Sequence, residues 1–202
     1  METRFYIAME YAPNGTIADY FQRHGSVDEA VARSWIKQLC IALRYLHGKN
    51  LAHRDVKCNN MLLNERNEIK LIDFDFLCHT RDATDDQMIL SFTYCGSPAY
   101  LAPEVLEGKP YAAVPADVWS AVVCAFVILN NKVPFTVDNP ERIREAQLRW
   151  EWDFNVNVKK RLSLSARRVV ARMMDPNPKD RPTVENVLTS NWLKSKEGYN
   201  GT

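Results

Sequence analysis

The stretch from Val118 to Leu129 reads Val-Trp-Ser-Ala-Val-Val-Cys-Ala-Phe-Val-Ile-Leu, apolar nearly all round and interrupted only by Ser120. A helix without a polar face has no side to turn to water, so other elements must wrap it. It is shorter than the ~20 residues that a membrane-spanning helix requires, and therefore reads as the buried core helix of a globular body. The chain has the material to build that body. Its 202 residues are 46% hydrophobic and 25% charged, the balance of a domain with one sizeable core. A formal net charge of +1, from 26 basic and 25 acidic residues, gives no field that would draw nucleic acid or an anionic membrane. Cys40, Cys58, Cys78, Cys95 and Cys124 are odd in number and none forms a C-x-x-C pair. That argues against a structural zinc site and a disulfide framework, and for free thiols in a reducing compartment. The opening Met-Glu-Thr-Arg-Phe-Tyr has no apolar signal region. The expectation is a soluble intracellular protein, cytoplasmic with the nucleus as the alternative.

Along the chain, Phe5 to Tyr11 is short, aromatic and apolar, which predicts a strand, broken by the turn Pro13-Asn14-Gly15. A brief helix is expected over Ile17 to Arg23, ended by Gly25. Ser26 followed by Glu29 has the spacing of a capping box, and Val31, Trp35, Leu39, Leu43 and Leu46 then recur at helical intervals up to Gly48. Met61 to Leu63 and Ile69 to Ile72 flank the polar run Asn64-Glu65-Arg66-Asn67, a hairpin candidate. Residues 78 to 98 lack periodicity and read as a long mobile loop, a feature that usually has a job in a compact domain. Helices are expected from Asp117 onward, including Pro140 to Trp152, Ser165 to Met174, and a last one over Thr183 to Leu193 with Thr183 as its cap.

Three short motifs carry the chemistry. His53-Arg54-Asp55-Val56-Lys57-Cys58-Asn59-Asn60 fits H-R-D-hydrophobic-x-x-x-N, Asp73-Phe74-Asp75 follows at close to the D-F-G pattern, and Ala102-Pro103-Glu104 supplies A-P-E. Each alone recurs by chance, whereas the ordered set, joined by a predicted hairpin and a loop of suitable length, is specific. The bland reading makes them ordinary polar loop residues. On these motifs the chain resembles the C-terminal lobe of a eukaryotic-type serine/threonine protein kinase. The wording around Leu51-Ala52-His53-Arg54-Asp55 and Tyr94-Cys95-Gly96-Ser97-Pro98 is most like the calmodulin-dependent-kinase-related group, including testis-specific serine/threonine kinases.

That resemblance implies an α+β, protein-kinase-like fold: a mostly helical C-lobe with a short β-hairpin near the catalytic loop, the N-lobe being largely missing. Residues 1–193 would form the partial kinase domain, hinge and C-lobe only, and 194–202 a tail. It implies ATP and Mg2+ as cofactors and transfer of the γ-phosphate to protein serine or threonine hydroxyls. Asp55 would orient or accept the substrate proton, Lys57 would steady the transferred phosphate, and Asn60 with Asp73 would hold the metal, whose hardness suits oxygen ligands. Met9, Glu10 and Ala12 would form the gatekeeper and hinge against adenine, with Leu62 the pocket floor and Asn59 beside the nucleotide; Met61 and Leu62 are equally compatible with plain core. Thr93 would be the activating phosphosite of an upstream kinase and Arg54 its phosphate partner. Ser97 would contact Asp55 and Lys57 and favour serine/threonine substrates. Asp117 would hold the catalytic-loop backbone, and Glu104 with Arg181 would form a buried ion pair.

The sequence departs from the family pattern in several places. The glycine-rich loop, the V-A-I-K lysine and the regulatory-helix glutamate are not found ahead of Phe5. Asp75 replaces the D-F-G glycine, Val122 a glycine of the central helix, and Thr16 and Asn59 stand at positions that are often acidic. The expectation is therefore a serine/threonine kinase, seen here as a fragment inactive alone; the alternative is a pseudokinase or truncated form that scaffolds other proteins.

Overall fold

The computed structural model describes residues 6–136 and 139–195. At its centre α4 (Ala113–Asn130) is buried along nearly its whole length. By length and composition alone this helix could cross a membrane, but 83% of it is enclosed by the rest of the fold. Val122, where the family has glycine, is fully enclosed with it. Asn131, in the left-handed region at φ 53°, ends the helix.

The other helices pack around that axis. α1 (Ile17–His24) starts with a capping box in which Thr16 and Asp19 satisfy each other's backbone N–H, and buries Ile17 and Phe21. α2 (Glu29–His47) presents Trp35, Ile36, Leu39, Cys40, Leu43 and Leu46 to the core and lies against α4. Its cap is Asp28, whose carboxylate accepts from Val31 N, rather than the expected Ser26. Glu29 is engaged elsewhere: it accepts from Ser163 N and Oγ at 2.7 and 2.6 Å and from Trp192 Nε1 at 3.0 Å, tying the start of α2 to the far end of the chain. Short α3 (Pro103–Leu106) precedes α4, and α5 (Pro140–Leu148), α6 (Val156–Arg161) and α7 (Leu164–Met173) follow it. Phe126 of α4 stacks on Phe154 with ring centroids 4.9 Å apart, and Trp152 meets both edge-on.

Two expected helices are shorter than the apolar spacing suggested. α5 stops at Leu148, just before Trp150 takes a positive φ of 57°. The run from Thr183 to Leu193 divides into α8 (Val184–Leu188) and α9 (Asn191–Lys194), because Ser190 caps a new helix through Leu193 N. Thr183 caps α8 as expected.

Strands are few. β1 (Leu51–Ala52) pairs antiparallel with β4 (Cys78–His79), and β2 (Met61–Leu63) with β3 (Ile69–Leu71) in the register Met61 to Leu71. In β2 the period of two is visible: Met61 and Leu63 are buried while Leu62 faces the other way. The predicted strand from Phe5 to Tyr11 is not formed. Phe5 lies outside the described residues, and residues 6–12 have no ladder partner among them; without a neighbour a strand cannot satisfy its backbone groups. Tyr6, Ile7, Met9 and Tyr11 stand exposed.

Candidate active site

The catalytic-loop motif lies between β1 and β2, and its shape is imposed from beneath by α4. Asp117 in that helix is 1% exposed. Its Oδ2 accepts from His53 N and its Oδ1 from Arg54 N, both at 2.8 Å. His47 Nε2 donates to the same Oδ2 at 3.0 Å. These bonds fix a turn in which Arg54 sits at φ +66°, a region that non-glycine residues rarely adopt. His53 closes the arrangement from the side. Its Nδ1 accepts from Asp55 N at 3.2 Å, so its Nε2 carries the proton given to Ile72 O at 3.0 Å. Its ring also packs on Phe74, centroids 5.1 Å apart.

On this frame four predicted residues meet. Asp55, 4% exposed, receives Lys57 Nζ at 2.7 Å on Oδ2. Asn60 Nδ2 bonds the Asp55 carbonyl at 2.9 Å, Asp55 Oδ2 at 3.0 Å and Asp73 Oδ2 at 3.3 Å. Asp73 itself holds φ +68°, and that turn directs a solvent-facing carboxylate toward the loop. Asp75 has no such positive φ, so its backbone does not call for the glycine of the family pattern. For a divalent cation the fit is chemical: Asn60 Nδ2 lies 3.3 Å from Asp73 Oδ2, and the amide oxygen and carboxylate of these two residues are hard oxygen donors. Among the described residues no group of three or more His, Cys, Asp or Glu forms a self-sufficient metal cage, so any such ion would complete its shell with phosphate oxygens and water.

The remaining predicted residues lie around this cluster. Leu63 N donates to Gly15 O at 2.8 Å and Asn14 N to Leu63 O at 3.2 Å, with a further bridge between Thr16 and Leu62. These bonds stitch residues 14–16, which follow the expected hinge residues Met9, Glu10 and Ala12, to β2, whose outward residue is Leu62. Glu10 points its side chain to Lys70 at 3.0 Å on the surface. Asn59 is exposed on a single 3-10 turn.

Residues 76–101 form the stretch expected to be the activation segment. There Arg54 donates to Phe76 O and to Ser91 Oγ, each at 2.6 Å. Thr93 is exposed, its carbonyl held by Tyr111 Oη at 3.0 Å. Ser97 is half-buried, and among the described residues no hydrogen bond joins its hydroxyl to Asp55 or Lys57. The close approach belongs instead to Gly96, at φ +102°, where a Cβ would stand 3.0 Å from Arg54 O and 2.9 Å from a methyl of Leu101. Sequence reasoning missed Ser91 and the second histidine, His47. Nothing in the pattern marks Ser91, whereas the buried aspartate in α4 implies donors that His47 partly supplies.

Further out, Arg181 forms the expected pair with Glu104, at 2.7 and 3.1 Å, and bonds Pro115 O and Asp175 O. Its guanidinium lies 5.1 Å from the centre of the Trp119 ring. The pair clamps the A-P-E end of the segment to the helical body.

Comparison with known proteins agrees with this geometry. The protein kinase domain family matches residues 1–193. Putative CBL-interacting protein kinase 27 of Oryza sativa subsp. japonica is 36% identical over 95% of this chain and 46% of its own. CBL-interacting serine/threonine-protein kinase 7 of Arabidopsis thaliana is 35% identical over 96% of this chain and 43% of its own. Testis-specific serine/threonine-protein kinase 1 of Homo sapiens is 33% identical over 96% of this chain and 52% of its own. The chain thus spans about half the length of the curated relatives it matches. On its motifs, its fold and these likenesses, it belongs to the protein kinase family, in its eukaryotic serine/threonine branch.

Proposed function

We propose that the chain supplies the hinge and C-lobe, residues 1–193, of a kinase that transfers the ATP γ-phosphate to serine or threonine hydroxyls of proteins, with 194–202 as its tail. The observation that carries this is the convergence of Asp55, Asn60 and Asp73 through bonds of 3.0 and 3.3 Å on a loop fixed from α4. Magnesium-bound ATP would provide the transferable phosphoryl group and neutralise its charge. Asn60 and Asp73 are the residues that would hold the metal. Asp55 would align the attacking hydroxyl and take its proton, and Lys57, already 2.7 Å from Asp55, would place a positive charge beside the transfer path. Met9, Glu10, Ala12, Leu62 and Asn59 would receive the nucleotide. Ser97 would move onto Asp55 and Lys57 when substrate is bound. Thr93 would be phosphorylated by an upstream kinase, and the phosphate would draw Arg54 from Ser91. The cytoplasm, or the nucleus, is the proposed setting.

A scaffold reading is favoured by the exposed Tyr6, Ile7, Met9 and Tyr11, which demand a covering surface. One experiment separates the two. Endogenous protein, captured at whatever length the cell makes it, is incubated with magnesium, labelled ATP and a serine/threonine peptide mixture, beside an Asp55→Asn variant. A kinase labels peptides and the variant loses about 10²–10⁴-fold, the worth of a positioned general base. Equal labelling by both proteins, or none by either, sinks the kinase reading.

A further inference from the structure

Leu164, Arg168 and Arg172 follow one another at four-residue intervals along α7, so they share one face of the helix, a turn apart. It is the outer face. The helix buries Ala166, Val170 and Met173, while Leu164 is 51% exposed and both arginines stand in solvent. Opposite lies the junction of α8 and α9, residues 189–191, where Ser190 starts a new helix. Between the two walls runs a groove of about 360 Å³, to which partly buried Val169 adds apolar surface. None of the four clustered catalytic residues lines it.

Charge decides what this groove would take. Its lining holds two cations and no carboxylate. Among the described residues neither guanidinium has a hydrogen bond or an ion pair. By contrast Arg181 is answered by Glu104, Arg81 by Asp86 and Lys159 by Asp153. The local sequence offers no such answer: from Phe154 to Met174 there are six basic residues and no acidic one, in a chain of net charge +1. Like charges one turn apart on a helix repel. A carboxylate set against them relieves that repulsion and accepts the two-pronged bonds that a guanidinium offers. On the facing wall Asn191 is exposed, and its amide makes no side-chain hydrogen bond among the described residues, so it is free to donate to the same ligand. The apolar residues narrow the choice further. A small inorganic anion would use the arginines and leave Leu164 and Val169 idle, and a nucleic acid calls for a longer basic track than two aligned arginines. A peptide with carboxylates beside an apolar side chain uses both kinds of surface.

We propose that this groove docks an acidic segment of a partner protein, with carboxylates on Arg168 and Arg172 and an adjacent apolar side chain against Leu164 and Val169. The docking surface shares no lining residue with the catalytic cluster. A partner held here keeps the rest of its chain free, and its binding does not require phosphoryl transfer, so the test stands apart from the kinase reading.

The probe is the fluorescent peptide Glu-Glu-Leu-Gly-Leu-Glu-Glu, titrated with the full chain at about 0.15 M salt and followed by anisotropy. Two control peptides carry glutamine in place of glutamate, or serine in place of leucine. The acidic peptide is expected to bind, the glutamine peptide about tenfold more weakly or worse, and the serine peptide about fivefold more weakly. Arg168→Gln and Arg172→Gln should each weaken the acidic peptide about fivefold, and together about tenfold or more. Arg142→Gln, exposed on α5, removes the same charge from another face and should change nothing. All three arginines are exposed, so a loss of binding reads a lost contact rather than a lost fold. Absence of binding by the acidic peptide overturns the proposal. So does equal weakening by Arg142→Gln, which would show bulk charge attraction, and so does undiminished binding of the serine peptide, which would show an anion site without a docking groove.

Discussion

The catalytic loop and the activation segment both read as irregular chain, yet the structure treats them in opposite ways. Ala52, His53, Asp55, Val56, Cys58 and Asn60 are buried, and the loop's backbone is bonded to Asp117 and His53. The activation segment exposes Met88, Leu90, Phe92 and Tyr94, with Phe92 81% exposed. Its attachments to the body include the β1–β4 pair, the Ser91–Tyr111 bridge, the Tyr111 hydroxyl on Thr93 O, and the Arg54 contacts with Phe76 O and Ser91. The residues of the proposed catalytic cluster are fixed by a core helix, and the segment that follows them is held by few contacts, the mark of low local stability. Arg54 joins the two, its backbone on Asp117 and its guanidinium on Ser91.

The sharpest way to break this contrast is to remove the clamp where the segment meets the body. Arg181→Ala leaves Glu104 unpaired and several carbonyls without a donor, so a stability loss of about 3–5 kcal/mol is expected in urea unfolding. A loss below ~1 kcal/mol would mean that the pair is not part of the rigid body.

A smaller effect should appear at alkaline pH. Burial pushes the Cys40 thiol, on α2, up to about 12 from an ordinary value near 9. Between those values the unfolded chain releases a proton that the folded chain keeps, so stability should fall as pH rises from 9 toward 12. Burial also raises Cys124, on α4, and Cys78, at the start of the segment, where the Arg54 charge opposes part of the rise. Alkylation at pH 8.5 should therefore label Cys78 before Cys40 or Cys124, with peptide mapping as the readout. The reverse order would place the softer part of the molecule in its core. Least of all should Phe92→Ser matter: lying out in solvent, it should change stability by no more than ~0.5 kcal/mol in the same urea assay.

What could be read from the sequence divides along the same line. The core helix, the β2–β3 hairpin, the meeting of Asp55, Asn60 and Asp73, and the Glu104–Arg181 pair were legible because each is written in local pattern or in motif spacing. The misplaced features depend on distant partners. Ser26 looks like a cap until Asp28 takes the role and Glu29 is drawn 134 residues along the chain to Ser163. The aromatic stretch ending at Tyr11 has strand composition but no neighbouring strand among the described residues. Ser91 carries no signature, since its meaning lies in where Arg54 points.

The most direct test of the account is native-state hydrogen exchange, followed residue by residue across both regions in one sample. The amides of His53 and Arg54, each bonded to Asp117 at 2.8 Å, should exchange only with global unfolding. Those of Phe92 and Thr93, on the exposed part of the segment, should exchange orders of magnitude faster through local opening. Comparable protection in the two pairs would contradict the division between a fixed catalytic loop and a loosely held activation segment.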